Sequence, residues 1–242
     1  MLNNTAFALP SLTRWKKNKF LQHAESVLSA QQQMQSQDGK TILHYTLNGQ
    51  LVHEAMSHYP PGDRIDHSSG AQYFYHCDRE NRITEEHGHF HCFFRYKHIP
   101  KHIKPSDLPD WNKNFDNPMT HLVAIAMNRF GQPVRLFSVN RWVTAETWYD
   151  AHHTPSLIKR YKMNNQDSAY WQILDQWVEG MLHLFSPQIE WLNHQRDATI
   201  KEHRDRDPKV NYFEERTLEE LSEIKIDLAQ QIQWVINNKC VK

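Results

Sequence analysis

The first regular pattern along the chain is helical. Leu12, Trp15, Leu21, Ala24, Leu28 and Met34 recur close to the 3.6-residue period of one helix face. Ser11, directly after Pro10, is placed to cap the first turn through its hydroxyl. Gly39 stops the run, so the pattern predicts an N-terminal helix over 11–38, with Gln31 to Gln37 as its solvated end.

From Thr41 to Thr144 the pattern changes to short β-branched and aromatic runs separated by Pro, Gly, Asp and Asn clusters, which reads as strands and turns. Strands are expected near 51–59, 71–78, 86–97, 119–129 and 133–143, in an antiparallel sheet that is open or curled into a barrel. Gly131-Gln132-Pro133 makes a hairpin of the last two. Tyr59-Pro60-Pro61-Gly62-Asp63 reads as a turn before the second strand. Pro100, Pro105, Pro109 and Pro118 punctuate a stretch without periodicity, suited to a binding loop or a passive surface excursion.

Beyond Thr144 the chain turns helical again. Tyr170, Leu174, Trp177, Met181 and Phe185 share a face, and Ser186-Pro187 ends that helix and starts the next. The run Lys201 to Asp207 mixes both charges ahead of Pro208 and reads as a solvated helix end. Thr217-Leu218-Glu219-Glu220 has capping-box spacing, and Leu221, Ile224, Leu228, Ile232 and Val235 then predict one final helix of about twenty residues. The expected fold is α+β: one domain over 1–242, with a sheet region at 41–144 and a helical region at 145–240 packed on it.

Composition narrows the function. The 28 Lys+Arg balance 28 Asp+Glu, and no compact basic run breaks that balance, which argues against nucleic-acid binding. No stretch approaches ~18 apolar residues, and Met1-Leu2-Asn3-Asn4 lacks the basic start of an export signal, so a cytoplasmic protein with no membrane partner is expected. Three cysteines, Cys77, Cys92 and Cys240, fit free thiols better than a disulfide framework. There is no Gly-x-Ser-x-Gly elbow, and seven glycines form no phosphate-cradling loop. Histidine is the outlier, with 17 copies.

Several of these histidines crowd into Glu86-His87-Gly88-His89-Phe90-His91-Cys92-Phe93-Phe94-Arg95. Strict alternation on a strand puts His87, His89, His91, Phe93 and Arg95 on one face. The neighbouring Thr120 to Met127 is apolar on both faces, so the histidine face is expected to be covered. Alternate residues on a strand are about 6.6 Å apart, so two ladder imidazoles can meet one ion. A third ligand must then come from another element, with His121, His76 and Glu146 as candidates. Three imidazoles, or two with a carboxylate, leave an open position on Zn or Fe(II) for hydrolytic or oxygen-dependent chemistry. A metal-free polar pocket and a satisfied structural network remain alternatives. His89-Phe90-His91 is similar to the His-x-His of cupins, but Cys92 to Arg95 supplies no following Glu.

A second constellation runs from Leu136 to Trp148. Asn140, Arg141, Trp142 and Glu146 gather at a strand end, where Arg141 can grip a carboxylate and Trp142 or Trp148 can form an apolar wall. Arg141 and Glu146 are the catalytic candidates, and Asn140, Arg141, Trp142 and Arg95 the substrate-binding ones. The alternative is an Arg141–Glu146 ion pair beside core tryptophans. Asp63, Asp66 and His67 lie in a segment where backbone reasons suffice.

In Tyr59-Pro60-Pro61-Gly62-Asp63, Ala71-Gln72-Tyr73-Phe74-Tyr75-His76, Glu86-His87-Gly88-His89-Phe90-His91 and Asn140-Arg141-Trp142-Val143-Thr144, the chain resembles an uncharacterised family of bacterial proteins of unknown function. The resemblance spans roughly residues 50 to 235 and implies a shared site but no reaction. The residues themselves point to a metal-dependent enzyme acting on a small acidic metabolite. A non-catalytic module binding a small molecule or haem is the alternative, and a partner-binding role for the helical third is a further one.

Overall fold

The computed structural model describes residues 6–36, 39–49, 54–55, 57–77, 86–106 and 118–240. Helix α1 (Arg14–Ser36) and the short α2 (Ile42–Thr46) precede five strands: β1 (Tyr59–Ile65), β2 (Ala71–Cys77), β3 (Glu86–Arg95), β4 (Met119–Asn128) and β5 (Pro133–Val139). Helices α3 (Arg141–Thr144), α4 (Thr154–Arg160), α5 (Ala169–Leu184) and α6 (Ser186–Arg206) follow, then β6 (Glu220–Lys225) and α7 (Leu228–Asn237).

The six strands form one open sheet in the order β1-β2-β3-β4-β5-β6. Every neighbouring pair is antiparallel. Both the five-strand count and a closed barrel are thereby corrected. The sixth strand comes from the segment expected to open the final helix. Thr217 does not cap a helix there, since its backbone N–H and hydroxyl both donate to Glu215 Oε1 at 3.1 and 2.9 Å. The free edge of β5 offers backbone groups that need partners, and Glu220–Lys225 satisfies them. The helix begins later, where the Asp227 side chain accepts from Gln230 N.

The first strand is also displaced from its expected place. Residues 51–53 and 56 lie outside the described residues, and the Tyr59-Pro60-Pro61-Gly62-Asp63 segment is part of β1 rather than a turn before β2. Its register jumps from Tyr59↔Tyr75 to Arg64↔Tyr73. Gly62 and Asp63 take left-handed conformations at φ 83° and 62°, and an edge strand tolerates prolines that cannot donate to a ladder. Part of the proline-punctuated stretch, 107–117, likewise lies outside the described residues.

One apolar cluster joins the sheet to the helices. Tyr73, Tyr75, Phe90, Cys92, Phe94, Val123 and Ile125 pack with Val27 of α1, Trp177 and Met181 of α5, Leu192 of α6 and Val235 of α7. Each such side chain stabilises the fold by roughly 1.5–3 kcal/mol relative to exposure. Gly180 lets α1 approach α5, for a Cβ there would stand 2.7 Å from Val27 Cγ2. These helices occupy one face of the sheet, and His76, His89 and His91 lie on the other.

Candidate metal centre

The site is assembled across β2, β3 and β4. His76 lies directly opposite His89 in the β2–β3 ladder, and their Nε2 atoms are 2.6 Å apart. His91, two residues further along β3, places its own Nε2 3.1 Å from that of His89. Three ring nitrogens thus converge, and the ligand atoms of His76, His89 and His91 all lie within 4.8 Å of one another. The three residues are 7%, 9% and 2% exposed, so water does not satisfy their nitrogens freely.

Strict alternation fails at two places on the β3–β4 ladder, and both failures shape the site. The register slips between Glu86 and Gly88, leaving His87 as the extra residue. His87 Nδ1 lies 2.8 Å from Tyr75 Oη, on a ring that belongs to the helix-covered core. His87 therefore stands apart from the cluster it was expected to join. The second slip pairs Cys92 with Val123 but Phe93 with His121, so Leu122 is extra. Leu122 enters the core and His121 turns to the histidine face, with its Nε2 3.0 Å from Nδ1 of His91. That places His121 behind a ligand of the triad rather than among the converging Nε2 atoms.

The walls are apolar. The Phe74 ring lies 5.2 Å from His91, Phe137 5.1 Å from His89, and Phe93 5.2 Å from His121, centroid to centroid. Ala124, Ala126 and Val139 complete a small apolar cluster with Phe137. His58, absent from the sequence-based candidates, stacks on Phe74 at 3.6 Å and sets Nδ1 2.8 Å from Asp63 Oδ1. Asp63 Oδ2 accepts from Gln72 Nε2 at 2.6 Å, and Gln72 Oε1 accepts from Arg95. No local pattern marks His58; only the pairing of β1 with β2 brings it alongside.

Burial controls the charge of these groups. His91 is held well below the ordinary imidazole pKa by burial and then by His89, His121 and His76. His121 falls to about 3 through burial, then Arg196 and His89. Both rings are neutral, which leaves lone pairs for a metal or a hydrogen bond. Glu146 is fully enclosed, and burial lifts its carboxyl to about 7. Its Oε2 accepts from the backbone N–H of His121 at 2.7 Å and from Thr120 Oγ1 at 3.2 Å.

The remaining sequence candidates have other partners. Arg141 pairs with Glu214 instead of Glu146. Asn140 caps α3 and donates to Tyr212 O at 2.7 Å. Trp142 Nε1 donates to Leu218 O, and Arg216 stacks on its ring. These contacts join the end of β5 to the segment leading into β6. Trp148 is buried with Ile200 and Leu221. Asp66 organises its own turn by accepting from Ser68 N and Ser69 N. Cys77 and Cys92 are buried free thiols, and Cys240 is an exposed one.

Fold and site together define an α+β protein with a buried three-imidazole cluster on one face of an open antiparallel sheet. The chain belongs to the family described as a domain of unknown function (DUF6969), whose profile matches residues 21–226. Neither a curated protein nor a solved structure matches the chain. Among the described residues no helix is long and apolar enough to cross a membrane.

Proposed function

We propose that the chain is a metal-dependent enzyme in which His76, His89 and His91 hold one divalent ion, Zn or Fe(II), and present its open positions to a small acidic metabolite. The convergence of three Nε2 atoms carries this proposal. Two nitrogens each ~2.0–2.1 Å from a zinc ion lie about 3.3 Å apart at the tetrahedral angle. The His89–His91 separation of 3.1 Å sits near that spacing, and the shorter His76–His89 separation of 2.6 Å requires those two rings to open around the ion. A hydrogen-bonded alternative serves His89 badly, because its Nε2 carries one hydrogen or one lone pair and faces two neighbours.

Three neutral ligands leave the ion's double charge uncompensated between phenylalanine walls, which favours an anionic group at the open position. Arg95, on the same face beside Gln72, is the side chain we assign to the metabolite's second polar end. Bound metal would lower the pKa of water or polarise the substrate oxygen. Haem suits the cluster less well, since axial imidazoles flank a macrocycle whereas these three crowd one point.

Elemental analysis of protein expressed with Zn or Fe tests the proposal. The expected result is one equivalent per chain, abolished in a His89→Ala/His91→Ala variant. Metal-free wild type, or unchanged content in the variant, rejects it. Turnover is then sought with pooled small carboxylates, reading hydrolysis and oxygen uptake in parallel.

A further inference from the structure

We propose that His121 is the positioning residue of this centre: its Nε2 accepts the Nδ1–H of His91, and thereby fixes the tautomer whose Nε2 lone pair faces His76 and His89. This rests on the assignment of the triad as a metal site and adds the device that keeps it ready.

One proton per ring sets the roles of His91 and His121. A neutral imidazole carries one N–H, and His91 uses both nitrogens: Nδ1 lies 3.0 Å from His121 Nε2, and Nε2 lies 3.1 Å from His89 Nε2. Were His121 the donor, the His91 proton would move to Nε2 and fill the point where the three rings meet. With His121 as acceptor, that point is left to lone pairs. Ligating histidines generally donate their second N–H to an acceptor that sets ring orientation. Here the acceptor is another imidazole, 2% exposed, which holds one geometry.

The backbone shows why His121 is aimed this way. Ala124 and Ala126 lie on the histidine face, so an unbroken strand would put Leu122 on that face and His121 in the core. The extra residue at Leu122 reverses them. Glu146 holds the reversed segment, with Oε2 on the N–H of His121, while the N–H of Thr147 donates to Met119 O at 2.8 Å. Bulges beside functional sites commonly re-aim one side chain in this manner.

The test combines 15N NMR of the metal-free protein with Co(II) titration of wild type, His121→Phe and His121→Gln. Wild-type His91 is expected as the Nδ1–H tautomer. His121→Phe should shift it toward Nε2–H and weaken Co(II) binding by about 10- to 100-fold, with one Co(II) per chain and an unchanged visible spectrum. His121→Gln, whose amide oxygen can accept the same proton, should recover most of the affinity, a recovery that simple loss of packing does not give. An Nε2–H tautomer in wild-type His91 overturns the proposal. So does unchanged affinity in His121→Phe, or a changed Co(II) spectrum marking His121 as a ligand. If wild type binds no Co(II), the metal assignment fails, and the tautomers of His91 in wild type and His121→Phe alone decide the role of His121.

Discussion

His76 and His89 face each other directly across the β2–β3 ladder, with Nε2 atoms 2.6 Å apart. Two imidazole nitrogens at that separation share one proton or one ion, and His91 adds a third nitrogen to the same point. Single replacement of His76, His89 or His91 by Ala is expected to lower Zn or Co(II) affinity at least about 100-fold. His87→Ala, at a ring bound to Tyr75 Oη, should leave it within a few-fold. Competition titration against a chelator separates the four variants. Saturating metal at about 100 times Kd should stabilise wild type by about 2.7 kcal/mol, visible as a rise in Tm.

Acid should weaken the metal-free fold with a slope set by buried groups. His121 is neutral when folded, at about 3 against an ordinary 6.5, and His91 is shifted in the same direction. The unfolded chain binds more protons below pH 6.5, so this part of the stability is complete above that value and is lost as pH falls. Glu146 works the opposite way. Its folded value of about 7 exceeds its ordinary 4.5, so its contribution is complete below 4.5 and fades as pH rises through 7. Glu146→Gln should therefore steepen the fall between pH 6.5 and 4.5 by about 1.4 kcal/mol per pH unit, read from urea midpoints across that range.

Gly88 precedes His89 on β3 and pairs with Cys77 of β2. A Cβ there would stand 2.3 Å from His76 O and 2.8 Å from Cys77 Cα, both backbone atoms. Gly88→Ala should cost roughly 1–3 kcal/mol in urea unfolding and loosen the His76–His89 register, with metal affinity falling in parallel. Wild-type stability together with wild-type affinity would contradict the described register.

Far from the histidines, Arg64 of β1 donates to both oxygens of Asp175 in α5, at 3.1 and 2.5 Å, and Tyr73 Oη donates to the same carboxylate at 2.7 Å. Both charged side chains are shielded, at 9% and 2% exposure. Asp175→Ala strands the Tyr73 phenol and leaves the Arg64 guanidinium with the more exposed Asp167, and should cost about 1–3 kcal/mol in chemical unfolding. Metal affinity of the folded fraction should be unaffected. A loss below about 0.5 kcal/mol would show that Asp167 replaces the lost partner.

What the chain alone determined is whatever depends on local periodicity. The 3.6-residue stripe of α5 and the Pro187 start of α6 are readable from neighbours in sequence. So are the alternation that sets His89 and His91 apart from Phe90 and Cys92, and the hairpin at Gly131. The segment of α1 is readable as a helix but not in its buried face, which runs through Ala24, Val27, Ala30 and Met34 and leaves Trp15 and Leu28 exposed. The tertiary structure decided what depends on pairing between distant segments. The open edge of β5 drew Glu220–Lys225 into a strand against its capping-box signal. Cross-strand register, unmarked in the residues of either strand, set His76 opposite His89. Two single-residue bulges took His87 off the histidine face and brought His121 onto it. A strand's side chains repeat every two residues, so one extra residue exchanges its faces, and where that residue falls is fixed by the partner strand and the core beneath it.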